Sequence, residues 1–140
     1  MIRRLNNEFK KSKKLSQYSY DSDNKEVSFV YNDERMISMT IPDSYPFHPP
    51  KNLHVNYQPI VYYHLGNREM IRKYFHIQCI CCDSIMCAYN WKALTNLEDI
   101  VDEYIKYKTV INASLLFGHM ERKNKVPTEM IRHIASFISK

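Results

Sequence analysis

Ten residues constrain this chain more than any others: IPDSYPFHPP, residues 41–50. Pro42, Pro46, Pro49 and Pro50 each lack a backbone N–H and hold φ near −65°, and each turns its preceding residue away from helix. Neither a helix nor a regular strand can run through such a stretch. It must be an extended, stiffened loop, and the regular structure must be arranged around it.

Before the loop the pattern is that of strands. Residues 15–20 (LSQYSY) are β-prone, and DSDN at 21–24 reads as a turn. KEVSFVY alternates Val27 and Phe29 with polar neighbours, NDE at 32–34 makes the next turn, and RMISMTI alternates again over 35–41. After the loop, KNLHV at 51–55 can supply a fourth strand with Leu53 and Val55 inward. The sequence thus predicts a four-stranded antiparallel meander.

Helices are predicted on both sides. Ile2, Leu5 and Phe9 share one face of a helix over 2–14, with basic residues on the others. Thr95 and Glu98 have capping-box spacing, and Leu97, Ile100, Val101, Tyr104 and Ile105 form an apolar stripe to about Lys108. Residues 109–117 can extend that helix or cross the core, GHMERKNK at 118–125 reads as a polar break, and VPTEMIRHIASFI closes as a helix with Pro127 near its start. Residues 56–78 are the least patterned: a strand, a turn at Gly66–Asn67, then a short helix or hairpin arm. Clustered strands with flanking helices predict an α+β domain, a single one over residues 1–140.

Composition narrows the function classes. With 2 glycines the chain has no phosphate-binding loop of either common pattern. The net charge of +5 is concentrated in Arg3, Arg4, Lys10, Lys11, Lys13 and Lys14. This is a solvated helix face, a nucleic-acid footprint, or a docking face for an acidic protein. No nucleic-acid motif supports the second, so no nucleic-acid partner is expected. No apolar run reaches membrane-span length, and no signal-peptide core follows Arg3 and Arg4. The expected setting is intracellular, with no membrane partner and with reduced thiols.

All four cysteines lie in CICCDSIMCAYNW, residues 79–91, which ends in the single tryptophan. Adjacent Cys81 and Cys82 disfavour a strain-free bond, so a disulfide knot is the weakest reading. Cys79, Cys81, Cys82 and Cys87, with His76 nearby, have the ligand types for zinc. However, C-x-C-C-x4-C is not a standard knuckle, and the metal site stays a rival reading. The plainest alternative is that each is a small buried thiol packing as a hydrophobe.

Four segments together resemble the ubiquitin-conjugating enzymes. IPDSYPFHPPK is similar to the family's proline-rich segment after its third strand. RRLNNEF at 3–9 resembles the first helix with its paired basic residues. NWKALT at 90–95 resembles the tryptophan segment that follows the active cysteine, and KVPTEMIRHIA resembles the start of a later helix. These landmarks occur in the family's order and span most of the chain. The resemblance implies a ubiquitin-conjugating-like fold and a transferase. Such a protein carries ubiquitin, or a ubiquitin-like protein, as a cysteine thioester and delivers it to a lysine or a ligase, with no cofactor.

The resemblance also ranks residues. Measured back from Trp91, Cys81 stands ten residues before it and follows Ile80, as the active cysteine does; Cys82, nine before, ranks second. The family's His-Pro-Asn motif is missing. YYHLGN at 62–67 begins like it, but Leu65 and Gly66 replace the proline, and REMIRKYFHIQ looks inserted before the cysteines. Asn67 is the candidate oxyanion donor or else a plain turn residue; Asn90 or a backbone N–H is the fallback. His64 and His76 are expected to pack or to cap structure. Arg3 and Arg4 would meet the activating enzyme, and Phe47 and Ala93 would flank a ligase groove. Phe47 reads equally as a buried loop anchor.

Family members usually continue with a further helix, so the chain reads as a shortened version, and its drifted motifs suit a viral member. It is expected to act as a monomer in cytoplasm or nucleus. The alternative function is a non-catalytic relative that keeps the fold and binds ubiquitin or a partner.

Overall fold

A computed structural model describes residues 1–138. The element order is α1 (Ile2–Lys11), β1 (Leu15–Asp21), β2 (Glu26–Tyr31), β3 (Arg35–Thr40), β4 (Lys51–Val55) and β5 (Gln58–Pro59). A 3-10 turn (Tyr62–His64), α2 (Arg68–Phe75), α3 (Ile80–Asp83), α4 (Leu97–Lys123) and α5 (Thr128–Ile138) follow. The protein is therefore α+β, with an N-terminal helix, an antiparallel sheet and C-terminal helices. No helix among the described residues is long and apolar enough to cross a membrane.

The chain divides into two units: Met1–Val61 with Ser84–Asp102, and Tyr62–Asp83 with Glu103–Lys140. In the first, five strands pair in sequence order. The pairs are antiparallel, with Val27 opposite Met39, Phe29 opposite Ile37 and Ile37 opposite Val55. The period of two buries Val27, Phe29 and Tyr31 from one strand, and Ile37 and Met39 from the next. Asn32 and Asp33 both have positive φ, and Glu34 N–H bonds back to the Tyr31 carbonyl, so the predicted NDE turn is a tight primed hairpin turn.

The sequence predicted four strands, and a fifth is present. Asn56 and Tyr57 both adopt left-handed backbone and return the chain as the two-residue β5. Tyrosine is an unusual residue for that position, which is why the turn was not legible.

Leu5 of α1 and Leu97, Ile100 and Val101 of α4 are wholly buried in this unit. Phe9 stacks on Tyr18, with ring centroids 4.1 Å apart, and meets Phe29 edge-on. Helix α1 ends at Lys11, before the expected residue 14, because Ser12 turns to extended backbone.

The second unit has its own core of Ile71, Tyr74, Phe75, Ile80, Tyr107, Val110, Ile111, Phe117, Ile131 and Ala135. Phe117 lies between Tyr74 and Phe75, at ring-centroid distances of 5.8 and 6.0 Å. Glu121 of α4 accepts from Lys73 Nζ at 2.8 Å, from Thr128 Oγ1 at 2.6 Å and from the Tyr74 hydroxyl, so one carboxylate joins α2, α4 and α5.

Both ends of α4 differ from expectation as well. The capping box at the start of α4 is Asn96 with Asp99, not Thr95 with Glu98: each backbone N–H bonds the other's side chain at 3.0 Å. GHMERK is helical, so α4 continues to Lys123. Gly118 does not break it, and the space its missing Cβ leaves is filled by the Met70 side chain. The turn after it comes with Lys125 in left-handed backbone.

Candidate functional site

In the first unit, the proline loop and the tryptophan segment are joined. Tyr45 N–H bonds the Pro42 carbonyl and Phe47 N–H bonds the Ser44 carbonyl, folding the loop into successive turns. The Trp91 indole N–H donates to the Pro46 carbonyl at 2.7 Å, and the Tyr45 and Trp91 rings lie 6.3 Å apart. The Tyr45–Pro46 peptide is cis.

Beneath the loop lies Glu8, a charged residue buried on α1. Its Oε1 accepts from Arg4 Nε and from the Tyr45 hydroxyl, each at 2.6 Å, and its Oε2 accepts from Leu97 N–H at 2.9 Å. Arg4 Nη2 also reaches the Ala93 and Thr95 carbonyls, at 3.4 and 3.3 Å. One carboxylate thus links the first helix, the proline loop and the start of α4. A buried carboxylate is tolerated there because both of its oxygens accept hydrogen bonds, three in all.

The residues expected to meet partners separate in kind. Arg3 is exposed, whereas Arg4 is drawn into the Glu8 network. Phe47 is 75% exposed, which removes the buried-anchor reading. Ala93 is half-buried with its carbonyl engaged by Arg4. Leu94, beside it, is 87% exposed; sequence reading missed it, and an apolar residue directly after a named site position was the available signal.

In the second unit, Ile80–Asp83 forms a single helical turn. Cys79 precedes it, Cys81 and Cys82 lie on it, and their three sulfurs are all within 4.8 Å of one another. Cys79 Sγ and Cys81 Sγ are 2.8 Å apart, and Cys81 Sγ and Cys82 Sγ are 3.9 Å apart. None of the three is in a disulfide; Cys82 is exposed, and Cys79 and Cys81 are half-exposed. Tyr107 donates to Asp83 Oδ2 at 2.9 Å and anchors the end of the turn to α4.

The thiols are electrostatically unequal. A hydrogen bond from Cys81 and one from the Cys82 backbone N–H bring Cys79 down to about 7. The same contact with Cys79, together with burial, pushes Cys81 up to about 11. Of the pair, Cys79 is thus the more readily ionised and Cys81 the less. Counting back from Trp91 ranked only Cys81 and Cys82, because position along the chain cannot reveal which thiol precedes a helical turn.

The four-cysteine metal set becomes a set of three. Cys87 belongs to the first unit, where its N–H bonds the Ser84 carbonyl and its own carbonyl accepts from Asn90 and Trp91 N–H. Asn90 Nδ2 donates to the Ser84 carbonyl at 3.1 Å. His76 is the C-cap of α2, in left-handed backbone, in keeping with a capping role.

Asn67 is the N-cap of α2. Its Oδ1 accepts from Glu69 and Met70 N–H, at 3.0 and 3.2 Å. The segment that looked inserted is this helix. Tyr62 lines a small cavity together with Cys79 and Ile80, and its buried hydroxyl has no partner among the described residues.

No family model, no curated protein and no solved structure matches the chain.

Proposed function

We propose that the chain is a divergent ubiquitin-conjugating-like protein that accepts ubiquitin, or a relative, as a cysteine thioester and passes it to a lysine or a ligase. The observation that carries this reading is the joining of the proline loop to the tryptophan segment through the Trp91–Pro46 hydrogen bond. It gives a physical reason for two of the resembling motifs to occur in one chain. The order of helix, antiparallel meander, proline loop, cysteine turn and long helix agrees with it.

In the first step a cysteine thiolate attacks the carbonyl carbon of the activating enzyme's thioester. The tetrahedral oxyanion collapses and expels the enzyme's thiolate. In the second, an amine attacks the new thioester and the cysteine leaves as thiolate. Of the two cysteines ranked by sequence, Cys82 is the more open, whereas Cys81 is half-exposed with its sulfur 2.8 Å from that of Cys79. Solvent access therefore moves Cys82 ahead of Cys81 as the acceptor.

Asn67 retains a route to the oxyanion role. Capping occupies its Oδ1, and Nδ2 is the atom an oxyanion donor needs. Arg3, on α1, would face the activating enzyme, while Phe47 and Leu94 supply exposed apolar side chains for a ligase.

The test is a charging assay with activating enzyme, ATP and ubiquitin on wild type, Cys79→Ala, Cys81→Ala and Cys82→Ala. The expected result is an adduct removed by dithiothreitol and lost in Cys82→Ala. An adduct surviving all three changes refutes the reading. Absence of any adduct favours the second reading, a non-catalytic binding module, to which the replacement of the family's proline by Leu65 and Gly66 lends weight.

A further inference from the structure

We propose that Cys79, Cys81 and Cys82 form a three-thiolate binding site for a thiophilic d10 metal ion, copper(I). The inference does not depend on the transferase reading. It rests on three sulfurs converging on one point from a single helical turn, with Cys79 just before the turn and Cys81 and Cys82 on it.

The geometry fits three-coordination. Metal–sulfur bonds near 2.3 Å place trigonal ligand sulfurs about 4 Å from each other. Cys81 Sγ and Cys82 Sγ already stand at 3.9 Å, and the Cys79–Cys81 separation of 2.8 Å is the one that must widen. Cys79 lies outside the helical turn, so its side chain can swing without unwinding backbone hydrogen bonds.

The ion class follows from the donor set. Structural zinc requires four protein ligands. Among the described residues the clustered donors are three, all sulfur. Soft thiolates suit copper(I), zinc and iron–sulfur clusters, and of these a three-sulfur set without a fourth protein ligand suits copper(I). Access is available as well: His76, Gln78, Cys79, Cys82 and Asp83 line an open depression of about 310 Å³. Each thiol that binds gives up its proton, so binding strengthens as pH rises.

The experiment titrates copper(I) anaerobically into the fully reduced protein against bathocuproine disulfonate, whose copper(I) complex absorbs in the visible. The expected result is one copper retained per chain, with thiolate-to-copper charge-transfer absorption in the ultraviolet. Cys82→Ser should weaken retention at least tenfold, and Cys87→Ser should leave it unchanged. Cys82 is exposed, so its replacement does not threaten folding, and circular dichroism checks this. No retained copper overturns the site, as does equal loss in Cys87→Ser. Failure of ubiquitin charging has no bearing on any of these readouts.

Discussion

Replacing Glu8 with alanine tests whether one carboxylate holds the first helix, the proline loop and α4 together. The substitution removes the acceptor of three donors. Two of them, the Tyr45 hydroxyl and Leu97 N–H, belong to buried residues and are left unsatisfied. Each such loss costs roughly 1–3 kcal/mol. The third, Arg4, has 32% of its side chain exposed and can turn to water, so its contribution is discounted to a few tenths. The expected cost is about 3–4 kcal/mol, a large share of a small protein's stability. Tyr45→Phe removes one donor and leaves nothing unsatisfied on its own side, so it should cost only about 1 kcal/mol. In urea, a slope of about 1–3 kcal/mol per molar moves the Glu8→Ala midpoint down by roughly 1–4 M. The double variant should lose less than the two single losses added, by about 0.5 kcal/mol or more, because both changes remove the same bond. A Glu8→Ala cost below about 1 kcal/mol, or strict additivity with Tyr45→Phe, refutes the reasoning.

Three further outcomes are expected. Asn67→Asp keeps the cap oxygen but removes the Nδ2 donor, so stability should hold while lysine discharge of a charged protein falls about 10²-fold; unchanged discharge restricts Asn67 to capping α2. Gly66→Ala should lower stability by about 1–2 kcal/mol in thermal or urea unfolding, since φ is +68° and the new Cβ would sit 2.9 Å from Ile111 and Ile71 side-chain carbons; a neutral result contradicts the packing described. Lys73 first, with Thr128 and Tyr74, holds the Glu121 carboxylate down to about 2. Its stabilisation is present above the ordinary carboxylate range near 4.3 and is lost as pH falls toward 2. Glu121→Gln should therefore lower the urea midpoint at pH 7 and approach wild type near pH 2, and a constant gap across that range argues against the assignment.

The site divides between what was legible and what was not. Trp91 as a marker and the proline loop as a separate structural piece could be read from residue types, because proline acts through its own covalent geometry. Asn67 was legible as a residue that leaves a turn, but its partners, Glu69 and Met70 N–H, exist only once α2 forms. Arg4 looked like a surface charge because its pairing depends on Glu8 one helical turn away and on carbonyls about ninety residues along the chain. The inequality of the thiols was invisible, since identical residues acquire different proton affinities only from the bonds around them.

By itself the sequence determined the first helix and the four strands that follow it, the Asn32–Asp33 turn, the loop at 41–50 and the apolar alternation that buries Val27, Phe29, Ile37 and Met39. These are local properties: the period of the side chains and the permitted backbone angles of single residues. Tertiary structure alone decided that Met70 fills the space beside Gly118, that Asn56–Tyr57 turns back into a fifth strand, and that Glu8 is a buried hub. It also decided that three of four cysteines converge. Each of these depends on which side chain arrives from elsewhere to fill a space, accept a proton or share one, and no local pattern carries that information.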